Sequence, residues 1–173
     1  MNFDLQPFLE NDLVTIRPLR GEDFEDLFKV ASDSLIWEQH QNKDRYILKE
    51  FNRFFEESLI SQGALLIQDG QSKNVVGSSR FKIVDEIDSV VEIGWSFLAR
   101  HYWGGLYNRE VKKLMVNYAL KSCGHVVFYV HPKNFRSQRA LEKIGAKRLN
   151  ETERPWVLPE EEGITYVISS PLK

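Results

Sequence analysis

The stretch that most constrains the fold of this chain runs from Trp103 to Gly145. It opens on a Gly104-Gly105 pair, continues with helical periodicity, and reaches an apolar run at Val126–Val130. A second helical segment follows, and Gly145 is predicted to be its C-cap. A run that is apolar on both faces is typical of a central strand covered on both sides. Since a strand is predicted at Val90–Leu98, the order of strand, helix and strand predicts a right-handed parallel crossover.

The rest of the chain predicts helices and an antiparallel meander. Apolar residues at helical spacing indicate two helices before the meander: Phe24, Leu27, Phe28 and Ala31 in the first, Phe51, Phe54, Phe55 and Leu59 in the second. Further strands are predicted at residues 13–19, 64–68, 75–84, 146–150 and 164–170. The segment 32–46 is mixed in character, and no element is assigned to it. The prediction is one α+β domain over residues 1–173 with a mixed sheet.

The predicted strand Val90–Leu98 carries the first chemical candidate. Strict alternation places Val91, Ile93, Trp95 and Phe97 on one face, and Glu92, Gly94 and Ser96 on the other. Small neighbours leave room for a substrate beside Glu92, and a partly buried carboxylate can act as a general base. A glutamate on a solvated face of the sheet is an equally good interpretation of the pattern.

The Gly104-Gly105 pair is the second candidate. Backbone N–H groups at a helix start that lacks Cβ atoms can bind a phosphate, although such a pair is more often only a turn. The spacing fits neither a dinucleotide-binding fingerprint nor a P-loop. Arg136, Arg139 and Lys143 form a basic stripe on the last helix; such a stripe is usually solvated, but near a phosphate-binding turn it can supply counter-charge.

Composition narrows the classes of function. The formal net charge of −2 over 173 residues gives no general attraction to nucleic acid or anionic membranes. The single cysteine, Cys123, excludes an internal disulfide and is expected to be a buried thiol. No metal site is expected, because the histidines lack ligand spacing. Without a leader-like or membrane-spanning segment, a cytoplasmic location is expected.

Several motifs in a fixed order carry a family resemblance. They are Val91-Glu92-Ile93-Gly94-Trp95, then Trp103-Gly104-Gly105-Leu106-Tyr107-Asn108-Arg109-Glu110, then Asn134-Phe135-Arg136-Ser137, and finally Leu141-Glu142-Lys143-Ile144-Gly145. From about Leu13 to Ser169 the chain resembles the GNAT superfamily of acetyl-coenzyme A-dependent N-acetyltransferases. It is most similar to the branch of RimJ- and RimL-like ribosomal-protein N-terminal acetyltransferases.

The resemblance implies a mostly antiparallel, twisted sheet of about six or seven strands with about four helices. One parallel pair, Val90–Leu98 and Val126–Val130, would splay around acetyl-CoA. The implied cofactor-binding residues are Phe97 and Leu98 for the pantetheine arm, His101, Trp103, Gly104, Gly105, Leu106, Tyr107 and Asn108 for the pyrophosphate, Asn134 and Ser137 on the far wall, and Arg139 or Lys143 near the adenosine.

The resemblance also implies roles in catalysis. Glu92 would deprotonate the amine, and Ser137 or Tyr129 would replace the family's tyrosine acid, since Leu141 stands at that position. Leu106 stands where the family turn usually has a third small residue. These departures keep open an alternative, a non-catalytic acyl-CoA-binding or regulatory domain of the same fold. A structural or protein-interaction module, which would not bind CoA, is a third interpretation.

The implied reaction is direct attack of a primary amine on acetyl-CoA. The partner would be a small-molecule or peptide amine, with no nucleic acid or membrane, and the protein would be a monomer or homodimer. The acidic segment 151–163 weakly favours a cationic acceptor, although a solvated acidic loop explains it as well.

Overall fold

The fold is a single eight-stranded sheet with helices on both faces. The computed structural model describes residues 2–149, 154, 156–158 and 163–172. The sheet order is β1-β2-β3-β4-β5-β6-β8-β7. The strands are β1 Leu9–Glu10, β2 Val14–Pro18, β3 Ala64–Asp69, β4 Val75–Asp85, β5 Val90–Leu98, β6 His125–Val130, β7 Lys147–Arg148 and β8 Ile164–Ile168. The predicted mixed α+β fold is confirmed, and the two-residue strands β1 and β7 bring the count slightly above the expected six or seven.

In the described part of the chain, four α-helices connect and cover this sheet, as predicted. They are α1 Phe24–Ala31, α2 Leu48–Ile60, α3 Leu106–Ala119 and α4 Phe135–Lys143. The unassigned segment 32–46 contains a short 3₁₀ helix, Ser34–Ile36, which seats Trp37 in the core. Within the described part of the chain, none of the helices combines the length and the apolar character needed to span a bilayer.

The sheet separates two large hydrophobic cores, and a smaller cluster surrounds Val90, Val127 and Trp156. On one face, Met115 of α3 packs with residues such as Val91 and Ile93. On the other face, α1, α2 and Trp37 pack around Phe51. Each helix buries one apolar stripe because its apolar residues recur at three- and four-residue spacing. Cys123 is buried in the α3 core, as expected.

A β-bulge in β5 makes one sequence prediction wrong. Trp95 has φ 51°, and the register against β4 shifts between Ser78 and Arg80. An extra residue in a strand reverses the alternation beyond it. Phe97 therefore packs with Trp95 in the α1–α2 core, whereas Ser96 turns to the α3 face. Strict alternation had placed Phe97 with Val91 and Ser96 with Glu92.

The parallel pair β5–β6 is short. Only Val90–Glu92 pairs with His125–Val127, whereas β6 pairs with β8 along Val126–Val130. The remaining parts of β5 and β6 are not paired with each other, so the two strands diverge. This divergence opens a cleft in the middle of the sheet, beside Glu92.

The helix α4 has defined ends on the far side of this cleft. The Asn134 side chain accepts a hydrogen bond of 3.1 Å from the backbone N of Ser137, which caps the helix start. At the other end Gly145 has φ +84°, and the N–H of Ala146 donates to the carbonyl of Leu141. This is the glycine C-cap predicted from sequence. Both ends therefore fix α4 against the cleft.

Replacement of Gly63 by alanine is expected to destabilise the fold. A Cβ at this position would lie 2.1 Å from the carbonyl oxygen of Phe81, a backbone atom that cannot move away cheaply. Overpacking of this kind typically costs about 1–3 kcal/mol of unfolding free energy. Denaturant unfolding measures it, with Gly21→Ala as the control because no atom lies within 4 Å of a Cβ there. Equal loss in both variants would contradict the prediction.

Candidate functional site

The cleft between β5 and β6 is the candidate functional site. Its cavity volume is about 170 Å³. The strands contribute Gly94, Trp95 and Ser96 from β5 and Phe128, Tyr129 and Val130 from β6. The helices add Asn108 and Lys112 from α3 and Ser137 and Leu141 from α4, and Asn134 lies at the start of α4. The cleft is thus enclosed by α3, β6 and α4 of the Trp103–Gly145 stretch and by β5, the strand before it.

A larger groove lies outside this cleft, between α1, β2 and the β3–β4 turn. It encloses about 900 Å³ and is lined by charged residues that are already paired. Arg17 and Asp23 form an ion pair at 2.6 Å, and Lys29 pairs with Asp26 at 2.7 Å. The groove is shallow and these charged side chains are neutralised by each other, so the β5–β6 cleft is the better candidate.

Glu92 holds a carboxylate beside the cleft, behind the lining residue Gly94. Its side chain is 7% exposed, and a Cβ built on Gly94 would lie 2.5 Å from Glu92 Oε1. The carboxylate therefore lies against the backbone of Gly94, which lines the cleft. Burial raises the pKa of Glu92 to about 7, although Lys82 and Arg80 oppose the shift. A carboxylate that titrates near neutral pH suits a general base.

Lys112 is a buried cation that the sequence analysis missed. Its Nζ donates a hydrogen bond of 2.8 Å to Ser96 Oγ, which lies 2.7 Å from Ser79 Oγ. The same Nζ lies 5.1 Å from the centre of the Phe128 ring. Burial lowers the pKa of Lys112 to about 8. The sequence signal for its burial was its spacing in α3, since Lys112 lies one turn after Asn108 and one turn before the buried Met115.

The glycine turn before α3 is open. Gly104 has φ +71°, Gly105 is the N-cap residue of α3, and no atom lies within 4 Å of a Cβ built on either. Leu106 is 59% exposed and starts the helix. The α3 N-terminus is therefore accessible to an anion. Tyr107, by contrast, donates a hydrogen bond of 2.6 Å to Asp69, away from the cleft.

The other residues expected to bind the cofactor are distributed unevenly. Asn134 is buried at the start of α4, and it lines the cleft together with Ser137. Arg139 and Lys143 are exposed on α4. His101 lines the shallow outer groove. The hydroxyl of Tyr129 donates to the carbonyl of Trp156 at 2.8 Å, and burial raises its pKa to about 12.

Arg136 connects α4 to Trp103 and to the segment after α1. Its guanidinium carbon lies 3.9 Å from the centre of the Trp103 ring, and Nη2 donates to the carbonyl of Ile36 at 2.8 Å. Its backbone N–H donates to Gln39. Trp103 in turn donates to the carbonyl of Leu98 at 2.8 Å. Arg136, the first residue of the basic stripe, is therefore held by contacts within the protein. Arg139 and Lys143, the other two, are exposed.

Comparison with known proteins agrees with this architecture. The family model "Acetyltransferase (GNAT) domain" matches residues 14–147. A GNAT-family acetyltransferase from Bacillus anthracis is 19% identical with a TM-score of 0.70, over 93% of this chain and 96% of that one. RimJ of Mycobacterium smegmatis, solved in complex with CoA-disulfide, is 15% identical with a TM-score of 0.68, over 95% and 87%. The ribosomal-protein-S5-alanine acetyltransferase from Vibrio fischeri is 13% identical with a TM-score of 0.68, over 96% and 99%.

The structural neighbours share the fold, and the family model covers most of the chain, from β2 to β7. The sequence resemblance stated above is thereby confirmed at the level of the family. The chain belongs to the GNAT acetyltransferase family.

Proposed function

We propose that this protein is an acetyl-CoA-dependent N-acetyltransferase of the RimJ/RimL-like branch, acting on a primary amine of a small molecule or peptide. The observation that carries the proposal is the carboxylate of Glu92, buried against Gly94 at the point where β5 and β6 diverge. A cytoplasmic location and a monomeric or homodimeric state remain predictions.

The residues present fit a CoA donor. The accessible N-terminus of α3 at Gly105 offers backbone N–H groups to the pyrophosphate, and Asn108 and Asn134 offer polar groups along the cleft. The divergent strands leave the backbone of β5 beyond Glu92 unpaired with β6. Acetyl-CoA supplies the acetyl group as a thioester, and transfer to the amine releases the thiol.

Two residues of this chain move or hold protons in the proposed reaction. Glu92 accepts a proton from the ammonium form of the acceptor, because only a neutral amine is nucleophilic. Lys112, on the opposite face of β5, presents an ammonium donor that stabilises negative charge as it develops. Ser137 also lines the cleft and stays a candidate donor. Tyr129 is a weaker candidate, because its hydroxyl already donates to Trp156.

The non-catalytic CoA-binding domain is the alternative, favoured by Leu141 at the position of the family's tyrosine. A thermal-shift titration with CoA and acetyl-CoA, followed by an assay of thiol release with a panel of amines, separates the two. Ligand at about 100 times its Kd adds about 2.7 kcal/mol of stability. Saturable binding with amine-dependent thiol release supports the enzyme, and binding without release supports the alternative.

Replacement of Gly105 by alanine is expected to weaken CoA binding without unfolding the protein. The residue has φ −105°, which alanine adopts easily, and its Cβ would meet no atom within 4 Å. The added methyl would obstruct the approach of a phosphate to the helix start, and a loss of about 1.4 kcal/mol is tenfold in Kd. Calorimetric titration with CoA measures the effect, and the exposed Gly21→Ala is the control. An unchanged Kd would place the pyrophosphate elsewhere.

A further inference from the structure

Two histidines that have no role in the proposed reaction line the cleft. His40 lies in the segment between α1 and α2, and His131 directly follows β6. Both side chains are half-buried, so they belong to the wall of the cleft and not to the core. A few polar groups in the wall of a cleft usually fix the orientation of its ligand.

The same local hydrogen bond fixes the tautomer of each ring. The backbone N–H of Asn42 donates to His40 Nδ1 at 3.0 Å, and the backbone N–H of Lys133 donates to His131 Nδ1 at 3.3 Å. A backbone N–H can only donate, so Nδ1 is the acceptor nitrogen in both rings. In a neutral imidazole the proton is then on Nε2. Each ring therefore offers an Nε2–H donor at the end that its own backbone does not use.

These two donors are available to a ligand. No residue that the structure describes accepts a hydrogen bond from Nε2 of either ring. His40 packs edge-on against Trp37, with ring centres 5.4 Å apart. Burial lowers the pKa of His40 to about 4, and Arg45, Arg136 and His131 add to the shift, so this ring is uncharged at neutral pH. An uncharged N–H donor in a cleft is matched by an oxygen atom of the ligand.

Contacts between α4 and the segment after α1 bring the two histidines to the same cleft. The backbone N–H of Arg136 donates to Gln39 Oε1 at 3.1 Å, and Arg136 Nη2 donates to the carbonyl of Ile36 at 2.8 Å. His40 directly follows Gln39, and His131 lies shortly before α4. The effect of His131 on the pKa of His40 agrees with this proximity. The two donors therefore serve one ligand.

The side of the sheet assigns this pair to the acceptor and not to CoA. Val91 and Ile93 of β5 belong to the core on the α3 side, so Glu92 between them faces the other side. Trp37, against which His40 packs, belongs to the core on that other side, with α1 and α2. The proposed pyrophosphate site is the N-terminus of α3. His40 and the proposed base thus share the side of β5 at which the amine is deprotonated.

The charges of the cleft wall favour an uncharged oxygen. Lys112 is the single lysine, arginine or acidic residue among the described residues that line the cleft. It donates to Ser96 on the α3 side, away from the histidines. Arg45 and Arg136 act on His40 through their charge, but they do not line the cleft. An anion beside the histidines would therefore lack a cation in direct contact.

We propose that His40 and His131 bind the acceptor through their Nε2–H groups, so that the preferred acceptor is a primary amine with an uncharged oxygen a few bonds from the nitrogen. The inference rests on the proposed function. The amine meets Glu92 while the oxygen meets the histidines, and the two contacts together orient the nucleophile. The five glutamates of the segment 151–163, which weakly favoured a cationic acceptor, all lie outside the described residues.

The test compares two amines of equal length in the thiol-release assay with acetyl-CoA. Methoxyethylamine and butylamine differ at one position, where an ether oxygen replaces a methylene group. The ether oxygen accepts a hydrogen bond but cannot donate one. Because the two amines also differ in basicity, the quantity measured is the change on substitution in the ether-to-alkyl ratio of kcat/KM. Each histidine is expected to account for about three- to tenfold of this ratio, as hydrogen bonds between neutral groups imply.

Two substitutions at each histidine separate the Nε2–H group from the fold. Asparagine keeps an acceptor oxygen for the backbone N–H two residues on but removes the donor, whereas glutamine reaches the position of Nε2 with an N–H group. His40→Asn and His131→Asn should each lower the ratio about three- to tenfold, and His40→Gln and His131→Gln should retain it. His125→Asn is the matched control, because His125 Nδ1 bonds to Ser169 and the residue does not line the cleft.

The affinity for CoA decides whether the acceptor or the cofactor is the ligand of the histidines. Calorimetric titration with CoA should give the same Kd for the wild type and for His40→Asn and His131→Asn. A Kd weakened by either substitution would assign the pair to CoA and overturn the inference. An ether-to-alkyl ratio that survives both substitutions overturns it as well.

Side-chain NMR distinguishes failure of this inference from failure of the proposed function. Proton–nitrogen spectra of the full chain should show the Nε2–H form of His40 and His131. Methoxyethylamine, with and without CoA, should shift these two signals, and butylamine should not. If no amine is acetylated but the selective shift occurs, the proposed function fails and the histidine subsite stands. Rings protonated at Nδ1, or signals that respond equally to both amines or to neither, overturn the subsite.

Discussion

Replacement of Glu92 by glutamine is expected to lower kcat by about 10²–10⁴-fold, the usual contribution of a positioned general base. Glutamine preserves the shape of the side chain against Gly94 but accepts no proton. The affinity for CoA should stay unchanged, since Glu92 is assigned to the amine and not to the donor. Steady-state thiol release and a CoA titration on the same preparation measure the two effects.

The pH profile gives the same prediction a sharper form. Burial raises the pKa of Glu92 to about 7, so the acid limb of the wild-type kcat/KM profile should rise with pH through that value. The base is protonated and inactive below its pKa, which fixes the sign. In Glu92→Gln this limb should disappear. A variant as fast as the wild type at every pH would show that Glu92 is not the base.

The stability of Glu92→Gln supplies an independent readout. The ordinary pKa is 4.5 and the folded value is about 7, so the carboxylate is penalised in the folded chain once it ionises. The part of the unfolding free energy that depends on protonated Glu92 is fully present below pH 4.5 and is lost as the pH rises through about 7. Glutamine escapes this loss, so the variant should unfold at a higher temperature than the wild type at pH 8 but not at pH 4. The exposed Glu25→Gln is the control variant for this comparison.

Much of the fold could be predicted from local patterns in the sequence. Apolar residues at helical spacing set all four helices, and an apolar run between two helices gave the parallel pair β5–β6. Gly145 was assigned correctly because a helix C-cap requires left-handed backbone, which glycine adopts freely. These features depend on neighbours in sequence, so they can be read without tertiary contacts.

The candidate site depended on contacts that local patterns do not contain. The bulge at Trp95 reversed the faces of Ser96 and Phe97, because period-two alternation cannot register an inserted residue. His40 lines the cleft, yet it lies in the segment 32–46, which shows no periodicity in the sequence. This side of the cleft was therefore the part least accessible to sequence.

Lys112 was missed for a related reason. A lysine in an amphipathic helix normally indicates the solvated side, yet this one lies beside the buried Val111 and near Met115. It is buried because the divergence of β5 and β6 leaves a polar cleft where a continuous sheet would present an apolar face. The cleft explains why this charge is buried, and the helical pattern of the sequence could not predict it.

Replacement of Lys112 by methionine is expected to lower kcat by about ten- to a hundredfold, because a hydrogen bond from a charged donor contributes about 1.5–3 kcal/mol. Methionine keeps the length of the side chain and its contact with the Phe128 ring but removes the donor to Ser96. The wild-type rate should also fall as the pH rises through about 8, the pKa to which burial lowers Lys112, and this limb should be lost in the variant.

The same substitution is expected to stabilise the fold at neutral pH, in contrast to its effect on the rate. The folded pKa of Lys112 is about 8 against an ordinary value of 10.5, so the charged form is penalised at pH 7 and the penalty disappears above about 10.5. Denaturant unfolding at pH 7 measures the gain, and Lys113→Met on the same helix is the control. A slower but more stable variant is the signature of a charge kept for chemistry at a cost to folding. A variant that is less stable and equally fast would instead make Lys112 a structural donor to Ser96.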